Sequence, residues 1–334
     1  MVLCQRPSCA LISSRLLPLG IENNMSLIEV GDFSASGWAV PSEAMERSRR
    51  YCEGLEEGHI LFFSNTPFAI PVAHQSLLLN VRQPNTARHK NISYKPGRSR
   101  VQSFARGTAD GKSLSEMMES YSRTVVDWLQ KFLVPYAGHW QVDFASFRSI
   151  EEEGRDLPVS KRNDLLHIDA FPTRPSNGNR ILRVFTNLNP SQPRVWLTSD
   201  PFDVWAKQYG DSAGLLAIAG KAHSLLRPIR CRAVRLARVA GIPVVDRPLY
   251  DQFMLAFHHY LKNNREFQDR CPKSKWEFPP GSTWLVFTDM VPHAVLSGRF
   301  ALEQTFLISR QALLRPDLAP YRVLERLAGV PLTD

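Results

Sequence analysis

From Pro135 onward the chain breaks into short apolar runs divided by Pro, Gly, Asn and Asp, and this rhythm limits the folds open to it. The runs are HWQVDFASFRSI, LLHIDAF, RILRVFTNLN, RVWLTS, STWLVFTD, HAVLS and ALEQTFLIS. Each is of strand length or little more, and turn residues close it. Many short strands must each bury a face, which points to an all-β sandwich or barrel core. Helical material interrupts at 201–238 and 248–264, and YRVLERLAGV reads as a last helix.

The half before Pro135 is simpler. PSEAMERSRRYCEGLEE (Pro41 to Glu57) reads as a helix ended by Gly58, and HILFF (His59 to Phe63) as a buried strand. Residues 64–106 read as a basic loop. Ser113 and Glu116 have the spacing of a capping box. After them Leu114, Met117, Met118, Tyr121, Val125, Trp128, Leu129 and Phe132 recur at helical spacing, the mark of a face packed on a sheet. No linker composition divides 25–334, so a single domain is expected there. Residues 1–24 read as a dispensable extension, and MSLIEVGDF from Met25 reads like the opening of a folded unit.

With 43% hydrophobic and 22% charged residues in 334, the chain has the composition of an ordinary globular protein. Five scattered cysteines without a CxxC argue against a zinc knuckle or a disulfide framework and fit a reducing compartment. A net charge of +9 favours anionic partners. No nucleic-acid-binding module accompanies that charge, so nucleic acid is not expected as a partner.

The residues that carry chemistry lie in LLHIDAF. On an extended segment, positions i and i+2 face the same side, so His167 and Asp169 share a space while Leu166 and Ile168 turn away. A third ligand is available at His293, where STWLVFTDMVPHAVLSG places a histidine at a strand start just after a turn. Two histidines and a carboxylate on one face of an octahedron leave open positions, the geometry of non-haem Fe(II) oxygenases. HxD by itself is a weak signal, and a pair that merely hydrogen-bonds its neighbours is the alternative. His258 and His259, in FMLAFHHYLKNN, read as ordinary helix histidines.

LLHIDAFPTRPSNGNRILRVFTNLNP, with VPHAVLSGRFALEQTF further on, resembles the Kdo 3-hydroxylases from about residue 26 to the C-terminus. The resemblance implies a mainly β, α+β protein with flanking helices around a double-stranded β-helix (jelly-roll, cupin-like) core. It implies that His167, Asp169 and His293 hold Fe(II) and carry catalysis, with 2-oxoglutarate and O2 as cosubstrates and ascorbate as a reductant in vitro. The implied reaction hydroxylates C3 of Kdo in Kdo-lipid A, the lipopolysaccharide inner core, to Ko, with succinate and CO2 as coproducts. The alternatives are a 2-oxoglutarate-dependent hydroxylase of another sugar, small acid or protein side chain, and a non-catalytic jelly-roll protein that binds sugar.

The far carboxylate of 2-oxoglutarate needs a fixed cation. Arg183, in the apolar strand RILRVFTNLN, is the first candidate. The alternative for Arg183 is an internal ion pair to an acid such as Glu303. Many oxygenases of this superfamily place the anchoring Arg about ten residues past the distal His, where this chain has Glu303, Gln304 and Thr305. Arg299 is the Arg nearby, and Asn187, Asn189, Gln304 and Thr305 are candidate neutral donors to the cosubstrate.

Arg82 to Arg106 carries no acid, and Arg88, His89, Lys90, Tyr94, Lys95 and Arg98 are its candidates for contacts to the sugar carboxylate and lipid phosphates. A second basic stretch, Lys221 to Gly241, alternates cations with apolar residues. It suits either an anionic membrane surface or a helix packed on the barrel. The expected setting is the cytoplasm, peripheral on the inner membrane.

Overall fold

A computed structural model describes residues 26–31, 41–81, 91–97, 101–102, 109–223 and 246–333. Among these residues ten strands form two sheets: β1 (Leu27–Glu29), β2 (Ile60–Phe63), β3 (Ile92–Tyr94), β4 (Trp140–Arg148), β5 (Arg180–Asn187), β6 (Arg194–Thr198), β7 (Ser274–Phe278), β8 (Thr283–Phe287), β9 (His293–Ser297) and β10 (Ala301–Ile308). The large sheet runs β1-β2-β8-β5-β10-β4-β3 and the small one β7-β6-β9. Every pairing is antiparallel except β1 with β2. Two facing antiparallel sheets with long connections make the jelly-roll core, and the helices make the whole α+β.

The sheets are joined by aromatic rings. Trp284 of β8 stacks on Phe278 of β7 with centroids 4.0 Å apart, and Trp196 of β6 meets it edge-on at 5.6 Å. Phe185 of β5 completes the group, 4.8 Å from Trp196. Large rings close the gap between two sheets while keeping few rotamers, so the core sets the spacing of the layers.

The helices are α1 (Pro41–Glu56), α2 (Val72–Asn80), α3 (Ala109–Phe132), α4 (Phe202–Tyr209), α5 (Leu215–Ala219), α6 (Leu249–Asn263), α7 (Arg265–Arg270) and α8 (Pro320–Ala328). The stripe read from sequence on α3 is buried from Leu114 to Phe132. Its start differs, because the helix begins at Ala109 and Ser113 lies inside it. An i, i+3 Ser–Glu pair occurs equally in helix interiors, so the spacing alone did not locate the cap. The expected loop at 64–106 contains α2 and the short edge strand β3. One is nine residues and the other three, too brief to show a periodicity that would reveal them. The helical stretch expected at 201–238 is broken at Gly214, which takes a left-handed backbone (φ 93°) between α4 and α5. The rest of that stretch, the basic run beyond His223 and the N-terminal 24 residues lie outside the described residues.

Candidate metal centre and the cavity around it

His167 does not lie in a regular strand. It forms an isolated bridge with His293 on the edge of β9, and the two residues exchange backbone N–H···O bonds of 3.1 and 2.9 Å. Two residues on, the Asp169 N–H donates to the Thr288 carbonyl at the end of β8, at 2.8 Å. The HxD segment is thus stitched to the small sheet at His167 and to the end of a large-sheet strand at Asp169. Leu166 and Ile168 turn into the core, which leaves His167 and Asp169 facing the cavity. Pro172 and Pro175 follow closely and prevent the segment from continuing as a strand.

Both imidazoles are oriented by the same device. His167 Nδ1 lies 2.7 Å from the Leu165 carbonyl, and His293 Nδ1 lies 2.9 Å from the Val291 carbonyl. A carbonyl only accepts, so each Nδ1 carries the proton and each Nε2 keeps its lone pair for a metal. Trp196 stacks on the His293 ring at 5.3 Å, and His258 stands edge-on to His167 at 5.0 Å. One ligand atom from each of His167, Asp169 and His293 lies within 4.8 Å of the others, and all three side chains are buried. Asp169 Oδ2 is buried without a hydrogen-bond partner among the described residues. A carboxylate oxygen that accepts no hydrogen bond, beside two unprotonated imidazole nitrogens, is a donor set that fits Fe(II).

The electrostatics favour the same state. Burial lowers the His167 pKa well below its ordinary 6.5, and the nearby Lys262 ammonium lowers it further. Burial also lowers His293. Burial pushes the Asp169 carboxyl up, but Arg183 and the two imidazoles outweigh it and hold it well below the usual carboxylate range. The site therefore presents one carboxylate and two neutral imidazoles at neutral pH, the ligand forms a metal needs.

The triad opens into a cavity of about 640 Å3. Its charged lining is Arg148, Arg155, Lys161, Arg174, Arg183 and Lys262, against Asp169. Arg183 reaches both acids nearest it: its Nε lies 2.9 Å from Asp169 Oδ2, outside hydrogen-bond geometry, and its Nη1 donates to Glu303 Oε1 at 2.5 Å. The Glu303 ion pair anticipated as the alternative for Arg183 is therefore present. Arg148 donates twice to Glu303 Oε2, at 3.0 and 2.7 Å. A second acid, Glu152, sits among Arg148, Arg155 and Arg194. Four guanidiniums share Glu303, Glu152 and, through Arg183, Asp169, which leaves one positive charge in surplus behind the metal corner.

The structure brings Arg183 to the cavity, but it places the other cosubstrate candidates elsewhere. Asn187 Nδ2 donates to the Gln192 and Phe278 carbonyls, and Asn189 Oδ1 accepts the Ser191 and Gln192 N–H groups, so both hold the turn after β5. Arg299 is exposed and lies over the Phe300 ring at 4.6 Å. Gln304 pairs with Val184 on the face away from Arg183, and its Nε2 donates to the Asp143 carbonyl. Thr305 lies across from Arg183 in register, within reach of Glu303, without lining the cavity. One-residue steps along a strand reverse the side chain, which a pattern read without register cannot assign.

Of the candidates for the substrate, Tyr94 is 4% exposed in the core. Lys95 stands 5.6 Å over the ring of Phe144, a residue of the cavity wall. Arg88, His89, Lys90 and Arg98 lie outside the described residues. Sequence reasoning missed Arg148, Arg174, His258 and Lys262 at the cavity. Arg174 lies 4.0 Å over the Phe171 ring and 4.5 Å over the Phe144 ring, with its Nε 3.0 Å from Asp143. The signal on α6 was available: Leu255, His258, His259 and Lys262 fall at i, i+3, i+4 and i+7, and all line the cavity.

The profile of the 3-deoxy-D-manno-oct-2-ulosonic acid (Kdo) hydroxylase family matches residues 39–331. Among solved structures, the Kdo hydroxylase KdoO, described as a non-haem Fe(II) α-ketoglutarate-dependent dioxygenase, is similar in its complex with α-ketoglutarate and Fe(III). The identity is 30%, covering 92% of this chain and 97% of that one, with a TM-score of 0.76. KdoO with cobalt(II) matches at 32% identity with the same coverage and a TM-score of 0.76. KdoO with succinate and Fe(III) matches at 31% identity with the same coverage and a TM-score of 0.75. No curated protein matches the chain.

Proposed function

The chain belongs to the Kdo hydroxylase family, and from that premise we propose that it hydroxylates C3 of Kdo in Kdo-lipid A, giving Ko. It is an Fe(II)/2-oxoglutarate-dependent dioxygenase. The observation that carries the reading is the buried His167–Asp169–His293 corner opening into a cavity rich in cations. Both the cosubstrate and the sugar acid are anions, so one cationic cavity suits both.

His167 and His293 would hold the metal through Nε2, and Asp169 through its carboxylate. When bound, iron with 2-oxoglutarate and O2 supplies the oxidation: one oxygen atom enters the sugar C–H bond, and the other leaves in succinate as CO2 is released. Arg183 is assigned to the far carboxylate of 2-oxoglutarate. The four guanidiniums outnumber Glu303, Glu152 and Asp169 by one, which suits an anionic cosubstrate. Phe185 and Trp196 present an apolar wall beside His293 and keep water from that side. Asn91, Ser93, Gln102 and Ser146 supply neutral groups for sugar hydroxyls.

The substrate is a lipid, so the enzyme must meet a bilayer. No helix among the described residues is long and apolar enough to cross one. The basic runs at 82–106 and 221–241 support a peripheral attachment to the anionic cytoplasmic face of the inner membrane. Charge reversal at Arg230 and Arg235 should then release the protein from anionic vesicles.

The test of the reaction is an aerobic incubation with Fe(II), 2-oxoglutarate, ascorbate and Kdo-lipid A, read by mass spectrometry. Gain of one oxygen on the Kdo moiety is the expected result. Full 2-oxoglutarate turnover with the lipid unchanged would send the search to another sugar or acid.

A further inference from the structure

We propose that Lys262 receives the carboxylate of the sugar acid, an assignment that rests on the Kdo reading above and adds a binding residue to it. Lys262 lies on α6, in the stripe of that helix that lines the cavity with the triad. It is 5% exposed, and among the described residues no acid forms an ion pair with it. Its one hydrogen bond is a stretched 3.5 Å contact from Nζ to the Ser160 carbonyl. Burial pulls its pKa down to about 8, with Asp169 and Asp164 opposing from further off.

A buried ammonium without a counter-ion is destabilising, and a chain keeps one where a ligand supplies the missing charge. The other cations of the wall differ in this respect. Arg183, Arg148 and Arg174 each hold an acid within 3.0 Å. Lys262 is the buried cation of this cavity without one among the described residues.

Its position separates it from the cosubstrate. Arg183 flanks Asp169, whereas the helix that carries Lys262 flanks His167: His258, one turn earlier, packs on the His167 ring and bonds the Ile168 carbonyl at 2.6 Å. Cosubstrate on the Arg183 side leaves the α6 side for the sugar. A monocarboxylate docked on one ammonium there would fix one end of the sugar ring against the metal corner.

The discriminating variant is Lys262→Met, which keeps the aliphatic stem and removes the charge. Protein loaded with Fe(II) and 2-oxoglutarate is titrated anaerobically, by calorimetry, with a methyl glycoside of Kdo and with the methyl ester of that glycoside. Wild type should bind the acid at least tenfold more tightly than the ester. Lys262→Met should bind both alike, at the wild-type affinity for the ester. Its Kd for 2-oxoglutarate should move less than threefold, and its melting temperature should hold or rise, which a merely structural lysine would not allow. A variant that keeps the preference for the acid overturns the proposal. So does one whose 2-oxoglutarate affinity alone falls tenfold, because that moves Lys262 to the cosubstrate. If wild type neither binds either glycoside nor hydroxylates Kdo-lipid A, the Kdo reading itself falls, and this assignment with it; if it hydroxylates Kdo-lipid A but binds acid and ester glycosides alike, the Kdo reading stands and the assignment of Lys262 falls alone.

Discussion

At the scale of single residues, function here depends on protonation states that the backbone imposes. Each metal-binding imidazole spends its Nδ1 proton on a carbonyl two residues earlier, so Nε2 is the ligand before any ion arrives. Replacing Asp169 by Ala should abolish Co(II) binding and hydroxylation while the fold persists. Arg183 retains Glu303 in that variant, so no guanidinium is orphaned. Wild type should gain about 2.7 kcal/mol of stability at a Co(II) concentration one hundred times its Kd, and Asp169→Ala none, as thermal melts would show. Retained activity in both Asp169→Ala and His167→Ala would remove the triad from consideration. Arg183→Gln should raise the 2-oxoglutarate requirement by an order of magnitude or more and the lipid requirement far less, readable from separate saturation curves. The opposite split would place the cosubstrate elsewhere.

At the scale of elements, the site depends on the distance between two sheets. Trp284 of β8 and Phe278 of β7 lie almost parallel at 4.0 Å, with Trp196 edge-on between them and His293. Trp284→Ala should cost about 3–5 kcal/mol in chemical denaturation and loosen Co(II) binding, although Trp284 does not touch the metal corner. Unchanged Co(II) affinity in a destabilised variant would show that His293 is held by Trp196 and its backbone bridge alone. The elements best read from sequence were β2, the buried face of α3 and α6, which follow from apolar patterning, and of these α6 lines the cavity. The HxD segment was read as a possible strand and is instead a single-bridge tether. Its flanking prolines were visible, but which neighbour would accept its two backbone bonds was not.

At the scale of the molecule, buried charge must balance across segments far apart in sequence. Glu152 is surrounded by Arg148, Arg155 and Arg194, and its own side chain is 3% exposed. Burial pushes its pKa up, but the three guanidiniums outweigh that and set it below the ordinary 4.5. A lowered folded pKa means that the carboxylate stabilises the fold fully above pH 4.5 and that this contribution fades as pH falls through the folded value. Glu152→Gln should therefore cost about 3 kcal/mol at pH 7, and the difference from wild type should shrink below pH 4.5 in urea titrations across that range. A difference independent of pH would mean that Glu152 acts through packing rather than charge.

The sequence by itself determined the class of core, the main helices and the chemical identity of the three ligands, because apolar period and residue type are local properties. HxD carried its own geometry, since alternation on any extended backbone puts both groups on one side. Only the tertiary structure brought His293 up to them, and only it decided which cations keep their charge free and which polar residues merely close a turn. Arg183 finds Glu303 across a strand pair, Asn187 and Asn189 turn to backbone, and Lys262 is left buried without an acid among the described residues. Those outcomes depend on register and burial, and both exist only once distant strands have paired.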